Sequence, residues 1–366
     1  MPKVLLLSDP TSAHTIKWIN SLYYKGVDVY LFGLSEVYLR DYPGIPEEHF
    51  FNIFVDNSLF KKEANSKLIY LKALPVLKKI IKKIKPDIVH AHYASSYGLL
   101  GSLLNFHPFI ISVWGSDIYD FPKKSFINKN IIKYNLSKAD KILSTSSIMA
   151  EEVRKYTQKN ILVTPFGIDT NRFKPSAKSI YKDSIIIGTI KTLEKHYGID
   201  FLIKAFSNVC KENKNVKLLI VGEGTEEENL KRLASQFSLK DKIIFTGKVP
   251  YDKVVCYHNE IDIFVALSIE ESFGVSVLES ASCSKPVVVS NADGFKEIVV
   301  DGITGIIVNK RDETAAAEAI KKLLLDKDLR ITMGKAGRES VLRNYNLNEN
   351  TERMIKIYKE FSQQIK

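Results

Sequence analysis

"IEESFGVSVLESASCSKPVVVS", residues 269–290, is the stretch on which the reading of this chain turns. It opens with two adjacent carboxylates, Glu270 and Glu271, and a third, Glu279, follows eight residues after Glu271. Nearly everything between them is apolar or small. The preceding "IDIFVALS" reads as a strand, and "SVLESASCS" as a helix that stops before Pro286. Gly274 therefore falls where a strand gives way to a helix. The first N–H groups of a helix have no acceptor inside it and carry a partial positive charge. Such a junction holds a phosphate without any lysine, and a glycine there lets the ligand approach the backbone. Glu279 falls about one turn into the helix, and its side chain leans back toward the helix start. Carboxylates repel phosphate, so Glu271 and Glu279 are expected to hold hydroxyl groups on either side of it. A diphosphate with a sugar at each end, a nucleotide sugar, fits that arrangement. Two glutamates at this spacing also arise as a helix cap and a solvated face.

The surroundings repeat the same alternation. "KVLLLSD", "DVYLFGL", "PDIVHAHY", "PFIISVWG" and "KILSTS" read as short apolar strands, with helical or loop material between them. "SAHTIKWINSLYYKG" reads as a helix with Ser12 as its N-cap and Gly26 as its stop. The pattern restarts after "KPSAKSIYKD", residues 174–183, which reads as a linker. "SIIIGTI", "VKLLIVGEG", "KIIFTG", "IDIFVAL" and "KPVVVSN" are the strands of the second half. Strands alternating with helices imply parallel sheets covered on both faces. The expected fold is α/β, two Rossmann-like parallel-sheet domains facing across a cleft. The expected boundaries are 1–172 and 173–349, with a terminal helix, 350–366, packing back on the first domain.

Composition narrows the classes. The chain has 366 residues, 45% hydrophobic and 26% charged, an ordinary globular balance. No stretch reaches the roughly 20 apolar residues of a membrane span. The opening "MPKVLLLSDP" is too short and lacks the cleavage pattern of a signal peptide, so a cytoplasmic protein is expected. Cys210, Cys256 and Cys283 form no close pair and read as reduced thiols. The formal net charge is +11, and residues 1–175 carry 24 Lys and Arg against 15 acids. Lys61–Lys85 holds nine lysines and one acid, Glu63. "LIYLKALPVLKKIIKKIKPD" alternates Leu and Ile with Lys at helical spacing, as in helices that lie on an anionic membrane; a solvated helix has the same pattern.

At this point the residues resemble a known family. "EESFGVSVLESASCSKPVVVSNADGFKEIVVDGITGIIV" is similar to the signature block of retaining glycosyltransferases of family 4, which have the glycosyltransferase-B fold. "HTIKWINSLYYKGVDVYLF", "PDIVHAHYAS", "ADKILSTSS", "TPFGIDTNRFKP", "IGTIKTLEKHYGIDFLIKAF" and "LLIVGEGTEEENL" resemble further blocks of that family in order. The resemblance implies that Glu271 binds hydroxyls of the donor sugar. It implies that the backbone at Phe273, Gly274 and Val275 holds the diphosphate, and that Glu279 binds the ribose. Of the two cations that the family sets against the diphosphate, Lys191 matches the first. The second position falls near Tyr197, so Lys195 must supply that charge or it is absent. In the first domain, "SVWGSDIYD" puts Trp114 where the family often has a histidine. Asp117 remains as a candidate partner for the acceptor hydroxyl, or as a loop Asx turn. His14, near the first helix start, is a candidate on the acceptor side. His90 and His92 are read as pointing to opposite faces of a strand and so as a poor metal pair.

What the resemblance implies is a retaining, metal-independent transferase of hexosyltransferase class with no cofactor, its nucleotide-diphosphate sugar being a co-substrate. A uridine donor is favoured over a guanosine one. The acceptor is a saccharide, lipid-linked in cell-surface polysaccharide assembly such as lipopolysaccharide or capsule, with inner-membrane surface contact and no nucleic acid. The alternative is a sugar-nucleotide epimerase or a phosphorylase on the same fold. The D-x-D string Asp326–Asp328 reads as structural. A dehydrogenase needs G-x-G-x-x-G, and "GEGTEE" has glutamate at the third glycine position. A nucleic-acid binder finds support only in the basic first half, without stacking aromatics among the lysines.

Overall fold

A computed structural model describes residues 1–53, 66–177, 180–181 and 184–363. Lys61, Lys62 and Glu63 of the basic segment lie outside the described residues, as do Lys178, Ser179, Lys182 and Asp183 of the expected linker. The chain forms two compact units, residues 1–166 with 348–366 and residues 167–347.

In the first unit seven strands pair in parallel: β1 (Lys3–Leu7), β2 (Asp28–Gly33), β3 (Phe50–Asn52), β4 (Ile88–His92), β5 (Phe109–Val113), β6 (Lys141–Ser144) and β7 (Ile161–Val163). Their order is β3-β2-β1-β4-β5-β6-β7. The central strands are buried end to end, as parallel strands sandwiched between helices must be. The helix Ala13–Tyr24 turns Thr15, Trp18, Ile19 and Leu22 inward, a spacing of three and four residues that makes one face. The terminal helix Leu347–Gln363 buries Met354, Ile355 and Tyr358, and the Tyr358 hydroxyl lies 2.7 Å from Nδ1 of His90 on β4.

The second unit has six parallel strands: β8 (Ile185–Ile190), β9 (Val216–Val221), β10 (Ile243–Phe245), β11 (Ile263–Ala266), β12 (Val287–Ser290) and β13 (Gly305–Val308). Their order is β10-β9-β8-β11-β12-β13. The two Rossmann-like parallel-sheet domains are those expected from the alternation, and the fold is the glycosyltransferase-B fold that the family resemblance implies.

Three expectations change. The division between units falls after Phe166, not after residue 172. Phe166 stacks on His14 of the first unit at 4.0 Å, whereas Ile168 N–H donates to Tyr345 O in the second. The stretch read as a linker is held to the second unit: Ser176 N–H donates to Asn259 Oδ1 at 2.8 Å, and the Glu260 carboxylate accepts from the N–H groups of Ile180 and Tyr181. His90 and His92 share a face, because residues two apart on a strand point the same way. Both are buried, and their rings meet edge to face at 4.7 Å. Finally, the basic helix Ser66–Ile84 lays one side of its second half on the core. Ala73, Leu77, Ile80 and Ile84 are buried while Lys78, Lys79, Lys82 and Lys83 are exposed. On the same helix Leu71 and Val76 are 42% and 39% exposed.

Candidate functional site

In an open parallel sheet, ligands bind beyond the carboxyl ends of the strands where the strand order reverses. In the second unit that point lies between β8 and β11, since the chain runs from β8 outward through β9 and β10 and then returns to β11 on the other side. Two loops meet there, 191–198 and 267–274. Ile269 N–H donates to His196 O at 2.8 Å. Gly198 has φ +65°, and a Cβ at that position would lie 2.1 Å from Leu267 O, so no other residue lets the loops close this far.

Lys191 leaves the end of β8, its N–H bonded to Val221 O at 3.0 Å. Its ammonium meets Glu271 Oε2 at 2.6 Å, with the two side chains 19% and 8% exposed. The Tyr197 ring lies under the same ammonium, 4.1 Å from Nζ to centroid. The position where a second cation was sought thus gives Lys191 an aromatic face instead. Burial alone would lower the lysine's pKa. The Glu271 carboxylate, then Tyr197, outweigh it and hold the value above the ordinary one. Lys195 stands exposed on the short turn Lys195–Tyr197.

The rest of the Glu271 loop is held from beneath. Gly294 N–H donates to Glu271 O at 3.0 Å, and a Cβ on Gly294 would fall 2.5 Å from Phe273 N. Phe273 is buried, its ring edge-on to Tyr345 at 5.8 Å. Gly274 caps the helix Val275–Ser282 with φ +98° and ψ 49°, the left-handed conformation expected of glycine. Its carbonyl accepts from Val277 and Leu278. The earlier N–H groups, at Val275 and Ser276, have no acceptor within the helix.

Glu279 comes from the second turn of that helix and is 5% exposed. It faces the helix Tyr251–Glu260: the Tyr251 hydroxyl reaches Glu279 Oε1 at 3.4 Å, and His258 Nε2 stands 3.6 Å from Glu279 Oε2. The Tyr251 ring in turn lies 4.4 Å from the Arg172 guanidinium, which donates to Tyr251 O at 2.6 Å. Burial, and next the Glu279 charge, push the Tyr251 hydroxyl far above the usual tyrosine range. Tyr251, His258 and Arg172 were not found from sequence. Residues 251 and 258 are two helical turns apart on one face, and that spacing was the available signal.

The first unit reverses between β1 and β4. Ser8, Thr15 and His92 form a hydroxyl–imidazole chain there, with links of 2.7 and 3.0 Å. Burial holds His92 well below the usual histidine range and His90 down to about 3, so both rings are neutral at pH 7. Trp114 lies over His92 at 4.2 Å between centroids, and His14 packs edge-on to Trp114 at 5.8 Å. Asp117 turns inward. It is 1% exposed, and its carboxylate accepts from the N–H groups of Ala94 (2.7 Å), Gly115 (2.8 Å) and Trp114 (3.2 Å). It clamps the loops that follow β4 and β5, the Asx-type role. Asp326 caps the helix Lys327–Asn344 by accepting from Leu329 N–H at 2.8 Å, as its structural reading required.

Two parallel-sheet units, the second with a cation–carboxylate pair and a glycine-headed helix at its reversal point, define the class of two-domain sugar-transferring enzymes. The chain belongs to the group 1 glycosyl transferases. Residues 170–340 match the model of that family, and residues 3–146 match glycosyl transferase 4-like. It is 26% identical over 307 residues to an uncharacterized glycosyltransferase of Methanocaldococcus jannaschii, covering 83% of this chain and 84% of that one. It is 29% identical over 240 residues to the capsular polysaccharide biosynthesis glycosyltransferase CapM of Staphylococcus aureus, covering 64% of this chain and 60% of that one. Among solved structures, sucrose-phosphate synthase of Thermosynechococcus elongatus superposes with a TM-score of 0.83 at 20% identity, over 98% of this chain and 99% of that one. Anabaena HepE in complex with UDP and glucose gives 0.79 at 16% identity, over 98% and 100%. The chain is a glycosyltransferase with relatives in polysaccharide, capsule and glycolipid biosynthesis.

Proposed function

We propose that this enzyme moves a sugar, with retention of its anomeric configuration, from a nucleotide-diphosphate sugar to a saccharide acceptor that is lipid-linked. The observation that carries the reading is the Lys191–Glu271 pair, 2.6 Å apart at the β8/β11 reversal. The diphosphate would sit on the N–H groups that open the helix Val275–Ser282, beside Phe273, Gly274 and Val275. Lys191 would stabilise its charge, and Lys195, exposed on the adjoining turn, would add to the local potential. Glu271 would accept hydroxyls of the transferred sugar, and Glu279 those of the ribose.

The step balances without a protein base. The bond from the anomeric carbon to the diphosphate oxygen breaks, and the acceptor oxygen bonds to that carbon from the same face. The acceptor's proton passes to the departing diphosphate. What the chain supplies is preorganised positive potential where charge develops, commonly the largest catalytic contribution. His14 would line the acceptor side, while Asp117 would act by holding the loops. A uridine donor is favoured by the likeness to a fold bound to UDP, and relatives in capsule and glycolipid synthesis favour a lipid-linked acceptor. The reaction as written uses no metal or cofactor.

Product analysis with UDP- and GDP-sugars, in the presence and absence of a chelator, tests this. A glycosylated acceptor of retained configuration, formed equally with chelator, is the expected result. An epimerised free donor or a sugar phosphate would overturn it.

A further inference from the structure

Among the described residues no helix is long and apolar enough to cross a membrane. On the basic helix Ser66–Ile84, Leu71 and Val76 are 42% and 39% exposed. Apolar side chains stand out further on the helix Phe126–Lys138. That helix has its own core face, with Ile132 and Leu136 fully buried. Its first two residues point the other way: Phe126 is 78% exposed and Ile127 66%. They are set rigidly, because Ser125 Oγ accepts from Asn128 N–H at 3.1 Å and Asn128 Nδ2 donates to Phe121 O at 3.1 Å.

After the exposed Asp120, the charges along this segment are of one sign. Lys123, Lys124, Lys129 and Lys133 are exposed, and no acid occurs from residue 121 to 139. An aromatic and a branched aliphatic side chain at a helix start, ringed by lysines, combine the two terms that hold a protein on a charged bilayer: insertion of apolar groups and attraction to anionic headgroups. The lysine stems can lie along the inserted groups while their ammoniums stay in the headgroup layer. The surface also sits on the crossover that leaves β5, directly after the Trp114–Asp117 loop. A helix crossing between parallel strands starts at the carboxyl end of the sheet, the end at which ligands bind.

We propose that the surface built by Phe126, Ile127, Lys124 and Lys129 docks on an anionic lipid bilayer. It would bring the loop end of the first unit to the headgroup layer, where the sugar of a lipid-linked acceptor lies. Docking itself does not depend on the donor site.

Co-sedimentation of the full chain with vesicles is the test. The parent protein should pellet with vesicles of phosphatidylglycerol and phosphatidylcholine in equal parts, less so as salt rises, and remain in solution with phosphatidylcholine alone. Phe126→Ser/Ile127→Ser should weaken vesicle binding about tenfold or more. Lys124→Gln/Lys129→Gln should weaken it and flatten its salt dependence. UDP should raise the melting temperature of all three proteins equally, which shows that each is folded and keeps a donor-site reading separate from this one. Failure of the parent to bind anionic vesicles overturns the proposal, as does binding by Phe126→Ser/Ile127→Ser equal to the parent's. So does self-association of the parent that the same double substitution abolishes, since the surface would then be a contact between copies.

Discussion

Glu271→Gln and Lys191→Met, alone and together, test the candidate site at its centre. The ammonium and carboxylate stand 2.6 Å apart with side chains 19% and 8% exposed, so water is largely kept from them. A surface pair contributes about 0–1 kcal/mol, whereas removing one member of a buried pair costs about 3–5 kcal/mol. The observed burial places this pair between those limits. Glutamine leaves Lys191 an oxygen to bind, so Glu271→Gln should cost about 1–2 kcal/mol of unfolding free energy. Lys191→Met strands the carboxylate and should cost about 2–3 kcal/mol. The double variant leaves neither charge, and urea unfolding of all four proteins should return a coupling of about 1 kcal/mol or more. The pH dependence has a definite sign. Burial lowers the lysine's pKa, and Glu271 and Tyr197 more than restore it, so the folded value lies above 10.5. Stability from a raised pKa is complete below the unfolded value and is lost as pH rises through the folded one. On the alkaline side the coupling should therefore hold through neutrality and fall in strongly alkaline buffer. Transfer should respond more steeply than folding, because a neutral amide is a weaker acceptor than a carboxylate. A loss of about a hundredfold in Glu271→Gln corresponds to about 2.7 kcal/mol. A coupling below about 0.3 kcal/mol, together with transfer within about twofold of the parent, would refute both the pairing and the role.

Gly274→Ala places a Cβ 2.8 Å from Ile298 Cδ1 and 2.9 Å from Phe295 at φ +98°, so crowding and left-handed strain should together lower stability by about 2–4 kcal/mol and weaken nucleotide binding, read by melting and calorimetry. Both ring nitrogens of the fully buried His258 are without a hydrogen-bond partner, Nε2 being 3.6 Å from Glu279 Oε2, so His258→Phe should change stability by only about 1 kcal/mol while loosening nucleotide binding through Glu279. His90 is held down to about pKa 3 by burial, from 6.5. The unfolded chain therefore takes up a proton that the folded chain refuses, and stability should fall by up to about 1.4 kcal/mol per unit as pH drops from 6.5 toward 3, a slope that His90→Gln reduces in acid denaturation.

Much of the fold could be read from the chain because parallel strands buried on both faces are short apolar runs, and "KVLLL", "IIIGTI" and "IFVA" are such runs. Strand order was not legible in them. Nothing within β8 or β11 says that they are neighbours, and that adjacency is what brings Lys191 to Glu271. The unit boundary was misplaced because polar, proline-containing residues 174–177 look like a linker. The carboxylate of Glu260 and the amide of Asn259, far along the chain, hold that backbone and were invisible at that distance. The basic helix Ser66–Ile84 was ambiguous for a similar reason: an apolar stripe suits a sheet or a bilayer equally, and the burial of Leu77 and Ile80 shows only that one side of it meets the core.

Both departures from the family's pattern put an aromatic ring where a polar or charged group was sought, and the two rings act alike. Tyr197 holds the Lys191 ammonium on its face, 4.1 Å from the centroid. Trp114 lies over His92, whose ring is buried and neutral. Asp117, which the resemblance offered as a partner for the acceptor hydroxyl or as a loop Asx turn, accepts from three backbone N–H groups. In the proposed reaction, positive potential for a departing diphosphate would rest on Lys191, with Lys195 and the helix behind Gly274. A helix start contributes only about 0.3–1 kcal/mol at an exposed site. On that reading the lysine would carry most of the stabilisation, with the ring of Tyr197 beneath it holding the ammonium in place.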